Sequence, residues 1–400
     1  MGEEAFSDVK VLDCTEGVAG PYCSKWLADF GAEVIKVEKP GEGDIARRMG
    51  PFPGDEPNPE KSGAFFYLNT NKKSITLNLR SETGVKILKE LVKRSDILVE
   101  DFGPGILSEL GLSDEMLKEV NPRLIVTSVS DFGQTGPYRR YKATNLTLHG
   151  LGGTMYTSRP THEPMNRPVV EGGLQAEYTT GLLSFIATVG ALVGRTRSDK
   201  GTRIDISAIE SVASTLTMHF GEYSCLGVSK RTNLVAIHGY PNDYYRCKDG
   251  WMNTTPGIGG APSIPLLMGK PELQDAPLFA KPSARMVEPE KFDAVVLPWL
   301  EKQPKWETTK QAQELRLAFT PVLTPGDLLE DEQLKAREFF AEANHPVMGD
   351  VTYAGAPAKL SETRWRPGRV PLLGEHNAEI YGDLGYSRED LVRLREEGLI

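Results

Sequence analysis

Between Val9 and Ile206 short apolar runs alternate with stretches whose apolar residues recur every three or four positions. Val9–Asp13 and Glu33–Val37 have the length and composition of strands. Between them Pro21 stands where a helix opens and Gly31 where it closes, with Trp26, Leu27 and Phe30 on one side. The alternation continues with strand Ser74–Leu79, helix Gly84–Val92, strand Asp96–Val99, helix Ser113–Val120 and strand Leu124–Val129. Leu182, Phe185, Ile186, Val189, Leu192 and Val193 lie on one face of a helix over Leu182–Arg195, and Thr179 and Thr180 are placed to cap it. A strand at Thr202–Ile206 and a helical stretch Glu210–Phe220 follow. Repeated β-then-α order, with turns at Phe102–Gly105 and Phe132–Pro137 directly after strands, predicts a doubly wound α/β domain. Its ligand edge is the C-terminal end of a parallel sheet.

Beyond Gly221 the pattern changes. Tyr240–Tyr245 and Arg246–Met252 read as a hairpin around Lys248-Asp249-Gly250. Thr254–Ala261 is Gly-rich, and reads either as a lid over a site or as a plain connector to a helix near Pro265. Short helical segments then run to Pro321, which predicts a second, smaller α+β domain over residues 221–330. The tail becomes extended around Gly349–Tyr353 and ends in an amphipathic helix, Arg388–Glu397, with Leu391 and Leu394 facing inward.

A formal net charge of -9 over 400 residues argues against nucleic acid or an anionic membrane as the main partner. The apolar runs read as too short to span a bilayer, and Met1–Lys10 is too polar for a signal peptide. Cys14, Cys23, Cys225 and Cys247 are scattered and read as reduced thiols of a cytoplasmic protein. Neither they nor His162, His219, His238, His345 and His376 have metal-ligand spacing. The first strand–helix–strand unit carries no Gly fingerprint for a nicotinamide or a nucleoside triphosphate. Arg47-Arg48 and Lys72-Lys73 either meet a phosphate group or are solvated charge. Glu177 follows Gly172-Gly173 at a helix start, where the dipole favours the ionised carboxylate. It is either a reactive group or a helix cap.

Several ordered motifs carry a resemblance. They are Val11-Leu12-Asp13, Ala19-Gly20-Pro21-Tyr22 and Leu27–Glu38, then Asn71–Leu79, Asn121–Ile125 and Phe132–Tyr138. Arg337–Phe340, Pro371–Asn377 and Leu384–Ser387 complete the set. Together they resemble the class III CoA-transferase (CaiB/BaiF) family over nearly the whole chain. The resemblance implies a Rossmann-like large domain built from residues 1–220 and 331–400, a small central domain, and an interlocked ring-shaped dimer. It implies CoA or acyl-CoA as substrate, a carboxylic acid as second substrate, and no permanently bound cofactor or metal. CoA-binding positions would be Val18, Ala19, Lys36, Arg48, Leu68, Lys72, Asp101 and Phe102, with Gly257, Gly259 and Gly260 in a covering loop.

In such transferases an Asp attacks the thioester of an acyl-CoA; Glu177 occupies that position here, with the same nucleophile on a longer arm. Asp101-Phe102-Gly103-Pro104-Gly105 stands where the family usually has Asn-Phe-Arg-Pro-Gly, which adds a negative charge and removes a phosphate partner. The racemase branch needs a His and an Asp. Thr144 and Glu177 stand at those places, and the nearby His149 reads as pocket-lining or structural. Two readings follow. In one the chain is a transferase using Glu177 and a donor such as succinyl-CoA. In the other it is a non-catalytic subunit paired with a paralogous, Asp-bearing chain, as in two-subunit members acting on benzylsuccinate in anaerobic toluene breakdown.

Overall fold

Strand β1 (Lys10–Cys14) lies at the centre of a six-stranded parallel sheet with β2 (Glu33–Glu38), β3 (Lys73–Thr76), β4 (Ile97–Glu100), β5 (Ile125–Ser130) and β6 (Arg203–Ser207). This computed structural model describes residues 4–158, 168–229, 240–255 and 260–400. The strand order is β3-β2-β1-β4-β5-β6, so the direction of winding reverses between β1 and β4. Such a reversal leaves a crevice at the strand C-termini.

Successive side chains of a strand point to opposite faces, and the core divides accordingly. Val11, Ile97, Val99, Ile125 and Val129 pack on one face with Cys23 and Leu27 of helix α1 (Ala19–Asp29). Leu12, Leu98 and Val126 pack on the other with Ile87, Leu88 and Leu91 of α3 (Glu82–Lys93). Helix α2 (Gly63–Leu68), absent from the apolar pattern, precedes β3. The chain end returns to this sheet. Asn377 Oδ1 accepts the Thr76 N–H at 2.9 Å, His376 N–H donates to Ser74 O at 2.9 Å, and Tyr381 Oη donates to Thr76 O at 2.6 Å. These bonds cover the edge strand β3, whose polar groups would otherwise invite another chain.

Two compact units make up the chain: Met1–Met155 with Val170–Met218 and Ala336–Ile400, and Tyr156–Val169 with His219–Lys335. Segment Tyr156–Val169 therefore groups with the second unit rather than with residues 1–220. That unit holds an antiparallel sheet of β7 (Asp243–Cys247), β8 (Gly250–Thr255) and β9 (Ala318–Pro321) around Met252, Phe279, Phe292 and Phe319. In the first unit β10 (Phe340–His345) pairs with β11 (Gly349–Ala354).

Three local expectations are corrected. The long helix, here α8 (Gln175–Ser198), starts seven residues before Leu182 and is not capped by Thr179 or Thr180. Thr180 Oγ1 donates instead to Ala176 O within the helix, while Asn145 supplies the cap from helix α6 (Asn145–Leu151). At 24 residues α8 is long and apolar enough to cross a membrane by length and composition, unlike the short runs expected. Its Phe185, Val189 and Leu192 pack against the sheet core, whereas Leu182, Ile186 and Val193 are exposed. The helical stretch expected over Glu210–Phe220 is broken at residues 214–216 into α9 (Ala208–Ala213) and α10 (Thr217–Leu226).

Candidate active site

The loop leaving β1 is fixed from beneath by a buried ionic cluster. Asp13 accepts from Thr15 N at 3.1 Å, Ser24 Oγ at 2.7 Å and Lys72 Nζ at 2.9 Å. Lys36 Nζ pairs with Asp44 at 2.7 Å and donates to Thr15 O at 2.8 Å. Asp44 in turn accepts the Gly17 N–H at 2.9 Å. All four charged side chains are nearly or fully inaccessible. Burial lowers the Lys72 pKa to about 8 despite the adjacent Asp13.

Lys36 and Lys72, both expected to meet CoA, are thus consumed inside the protein. Leu68 is fully buried at the end of α2 and lines neither cavity of the site. Arg47 pairs with Glu38 and Glu60, and Lys73 with Glu33 and Glu379. Arg48 is exposed, donates to Glu42 O at 2.7 Å and lines neither cavity. Gly257 and Gly259 lie outside the described residues; Gly260 precedes a 3-10 turn, Ala261–Ser263, in the second unit.

Other predicted residues do converge. Val18, Ala19, Asp101, Phe102 and Glu177 line a cavity of about 390 Å³ at the C-terminal ends of β1, β4 and β5. A second cavity of about 580 Å³, along the ends of β1, β2 and β4, shares Glu16, Asp101 and Phe102 with the first. The two adjoin at the point where the sheet reverses.

Close helix contact brings Glu177 to this place. A Cβ at Gly181 would stand 2.5 Å from Ala19 O and 2.9 Å from Tyr22 Cβ, so only Gly lets α8 rest on the start of α1. Tyr178 packs edge-on to Tyr22 with centroids 4.9 Å apart. Asn145 holds the turn before Glu177, accepting from Ala176 N at 3.0 Å and donating to Gly173 O at 3.1 Å. Gly181→Ala is expected to destabilise the fold by about 1–3 kcal/mol through overpacking. Gly190→Ala on the same helix has nothing within 4 Å, and should be neutral or stabilising by up to about 1 kcal/mol. Denaturant unfolding of the pair checks this.

Glu177 is half-buried, and its Oε2 is buried with no hydrogen-bond partner among the described residues. Burial raises its pKa; its own backbone N–H opposes this and the Asp131 charge adds to it. The helix start therefore does not set the direction of the shift: burial outweighs it. Asp101 is also pushed well above its ordinary value by burial, with Asp44 and Asp13 adding to the shift, although it accepts the Glu16 N–H at 2.9 Å.

The sequence reading passed over four further residues of the cavity: Asp131, Arg139, Arg140 and Lys142. Asp131 follows β5 directly and the other three lie in the same loop before α6, and a loop after a parallel strand was the signal that marks them. Thr144 lines the cavity as the N-cap of α6, bound to Thr147. His149 is buried and does not line the cavity; its Nδ1 lies 2.7 Å from Thr154 Oγ1.

The model of CoA-transferase family III matches residues 6–377. The chain belongs to CoA-transferase family III. Its family relatives include the formyl-CoA:oxalate CoA-transferase of Streptomyces coelicolor, 32% identical over all of both chains. That of Bradyrhizobium diazoefficiens is 34% identical over 99% of this chain and 97% of its own. Among solved structures, a CaiB/BaiF family protein from Brucella suis is 29% identical with a TM-score of 0.86, covering 96% of this chain and all of the other. Rv3272 from Mycobacterium tuberculosis shares the fold at 24% identity and a TM-score of 0.79, covering 95% of this chain and 99% of its own. Within this family III chain, the cavity around Glu177 is the candidate active site.

Proposed function

We propose that this chain moves CoA from an acyl-CoA to a carboxylic acid with Glu177 as the nucleophile. The observation that carries this is the buried Oε2 of Glu177, which has no hydrogen-bond partner among the described residues, in a cavity at the sheet's reversal point. A carboxylate oxygen with no hydrogen bond to hold it is free to attack. Its oxygen adds to the thioester carbonyl, and CoA thiolate leaves to give a mixed anhydride. The thiolate then attacks the glutamyl carbonyl, releasing the donor acid and leaving CoA as a thioester on Glu177. The acceptor carboxylate attacks this thioester and expels the thiolate, which finally takes the acceptor's acyl group and frees Glu177. Each bond broken is matched by one formed, so activation passes along without water.

The larger cavity would receive the nucleotide end of CoA, with Asp101 and Phe102 at the junction and Val18 and Ala19 beside the reacting end. CoA enters and leaves as substrate, with no permanently bound cofactor. Succinyl-CoA is one donor to try; formyl-CoA with oxalate is the pair named for the relatives. The exposed apolar stripe Leu182, Ile186 and Val193 supports a partner chain, either a second copy in an interlocked dimer or a paralogous subunit. We place the protein in the cytoplasm. Incubation with acyl-CoA followed by hydroxylamine or borohydride is expected to mark Glu177, read by peptide mass. An unmodified Glu177 in an actively transferring preparation overturns its role as nucleophile.

A further inference from the structure

Glu100 ends β4 with a carboxylate that is almost wholly buried and takes no part in the transfer steps. Its Oε2 accepts the Phe102 N–H at 3.0 Å. Its Oε1 faces Arg203 of the edge strand β6, 3.7 Å from Nη2. The same Nη2 donates to Ser128 Oγ of β5 at 3.1 Å, and the guanidinium also pairs with Asp114, which opens helix α5 (Asp114–Val120). A line of polar contacts thus crosses three adjacent strands, from the edge of the sheet to the loop after β4. Burial raises the Glu100 pKa and the Asp205 charge adds to this, while hydrogen bonds from Ser128 and the Phe102 N–H and the Arg203 charge oppose it.

That loop carries Asp101 and Phe102, which line both adjoining cavities. Its backbone passes through Gly103 and Gly105 at φ of 94° and 88°, a region that glycine enters and leaves freely. One backbone bond, from the Ile106 N–H to Gly103 O at 3.3 Å, spans the turn. Asp101 ties its own side chain to the Glu16 N–H, which leaves Phe102 to Glu100. Among the described residues Glu100 is the one side chain bonded to the backbone of 101–105. We propose that Glu100, braced by Arg203, is the positioning residue of the junction between the cavities, holding the turn so that Phe102 keeps its place in both walls. Its consequence for CoA rests on the reading of these cavities as the CoA site. A ligand lying across the junction binds only molecules whose turn is in place, so a loosened turn lowers apparent affinity by that fraction. Neither Glu100 nor Arg203 lines either cavity, so neither acts by touching the ligand there. Arg203 works through Glu100: it supports the ionised carboxylate, and an ionised acceptor holds the Phe102 N–H more strongly than a neutral one.

The test combines hydrogen exchange over residues 101–106 with calorimetric binding of CoA, on full-length Glu100→Gln, Arg203→Met and the double variant. The first keeps an acceptor for the Phe102 N–H without its charge, and the second keeps the stem of Arg203 without the guanidinium. Each single variant should quicken exchange over 101–106 and weaken CoA binding by about fivefold, the difference between a charge-assisted and a neutral hydrogen bond. The double variant should match the singles, because Arg203 has no charge to support once Glu100 is replaced. Multiplied losses in the double variant overturn the proposal, as does unchanged exchange over 101–106 in both singles. Faster exchange in the singles, with no CoA bound by the unmodified protein, upholds the positioning and overturns the CoA reading of the cavities. CoA bound equally well by all four proteins leaves that reading standing and overturns the positioning role.

Discussion

Glu177→Gln is expected to lower CoA transfer by at least about 1000-fold while leaving the fold intact, because an amide oxygen cannot take up and release the acyl group. Glu177→Asp keeps the nucleophile but withdraws it by about an ångström, and a misplacement of that order costs roughly 100-fold. The acid limb of kcat/KM should lie above the ordinary glutamate value of 4.5, because burial and Asp131 raise the Glu177 pKa. The sign follows from the chemistry: a protonated carboxyl does not attack, so the rate falls as pH drops through the raised value. Asp131→Asn removes a negative neighbour and should move that limb to lower pH. Stopped assays with wild-type and variant protein across pH measure all three effects. If Glu177→Gln retains full activity in a preparation containing a paralogous chain, the nucleophile belongs to that chain.

The position of Glu177 was legible in the sequence, but its environment was not. Apolar periodicity located α8, and motif spacing placed Glu177 near its start. The cap came from Asn145, thirty-one residues away from Ala176, where no local pattern points. The direction of the Glu177 shift depends on burial against other elements, which helix position alone does not reveal. The parallel sheet was legible because short apolar runs alternate with amphipathic helices. Lys36 and Lys72, expected as CoA-binding positions, are instead paired inside the protein. Lys36 sits within β2 between β1 and β3, and a strand inside a parallel sheet has no solvent face for its charge. That context marks Lys36 for burial with a carboxylate, although only the fold shows that the carboxylate is Asp44. The basic stretch 139–142 went unread for the opposite reason: its charges share a cavity with Glu177 only once α8 has packed over the end of β5.

Asp13→Ala is expected to be among the most destabilising single changes, at about 3–5 kcal/mol, because it leaves buried cations short of a counter-charge. Among the described residues Lys72 would keep Pro21 O at 2.9 Å and Asn69 Oδ1 at 2.8 Å, both neutral. Lys36 would keep Asp44 and Thr15 O. For a unit of this size the loss corresponds to a fall of roughly 10 °C in Tm. Adding Lys72→Met to Asp13→Ala removes the orphaned charge and should restore part of the loss, a non-additivity that simple loss of packing would not produce. The pH dependence gives an independent check. Asp13 is held well below its ordinary pKa, with Lys36 and Lys72 overcoming the cost of its burial, so its contribution is present above about pH 4 and fades in acid. Lys72 is shifted the other way for a base, down to about 8, so its burial cost is full below that pH and relaxes as the folded state sheds the proton. Without Asp13 the Lys72 value falls further. Asp13→Ala should therefore regain stability relative to wild type as pH rises from 7 to 9, whereas Asp13→Ala/Lys72→Met should not. Urea unfolding at both pH values decides the point: a parallel response of the two variants would show that the cluster is packing alone, without charge pairing.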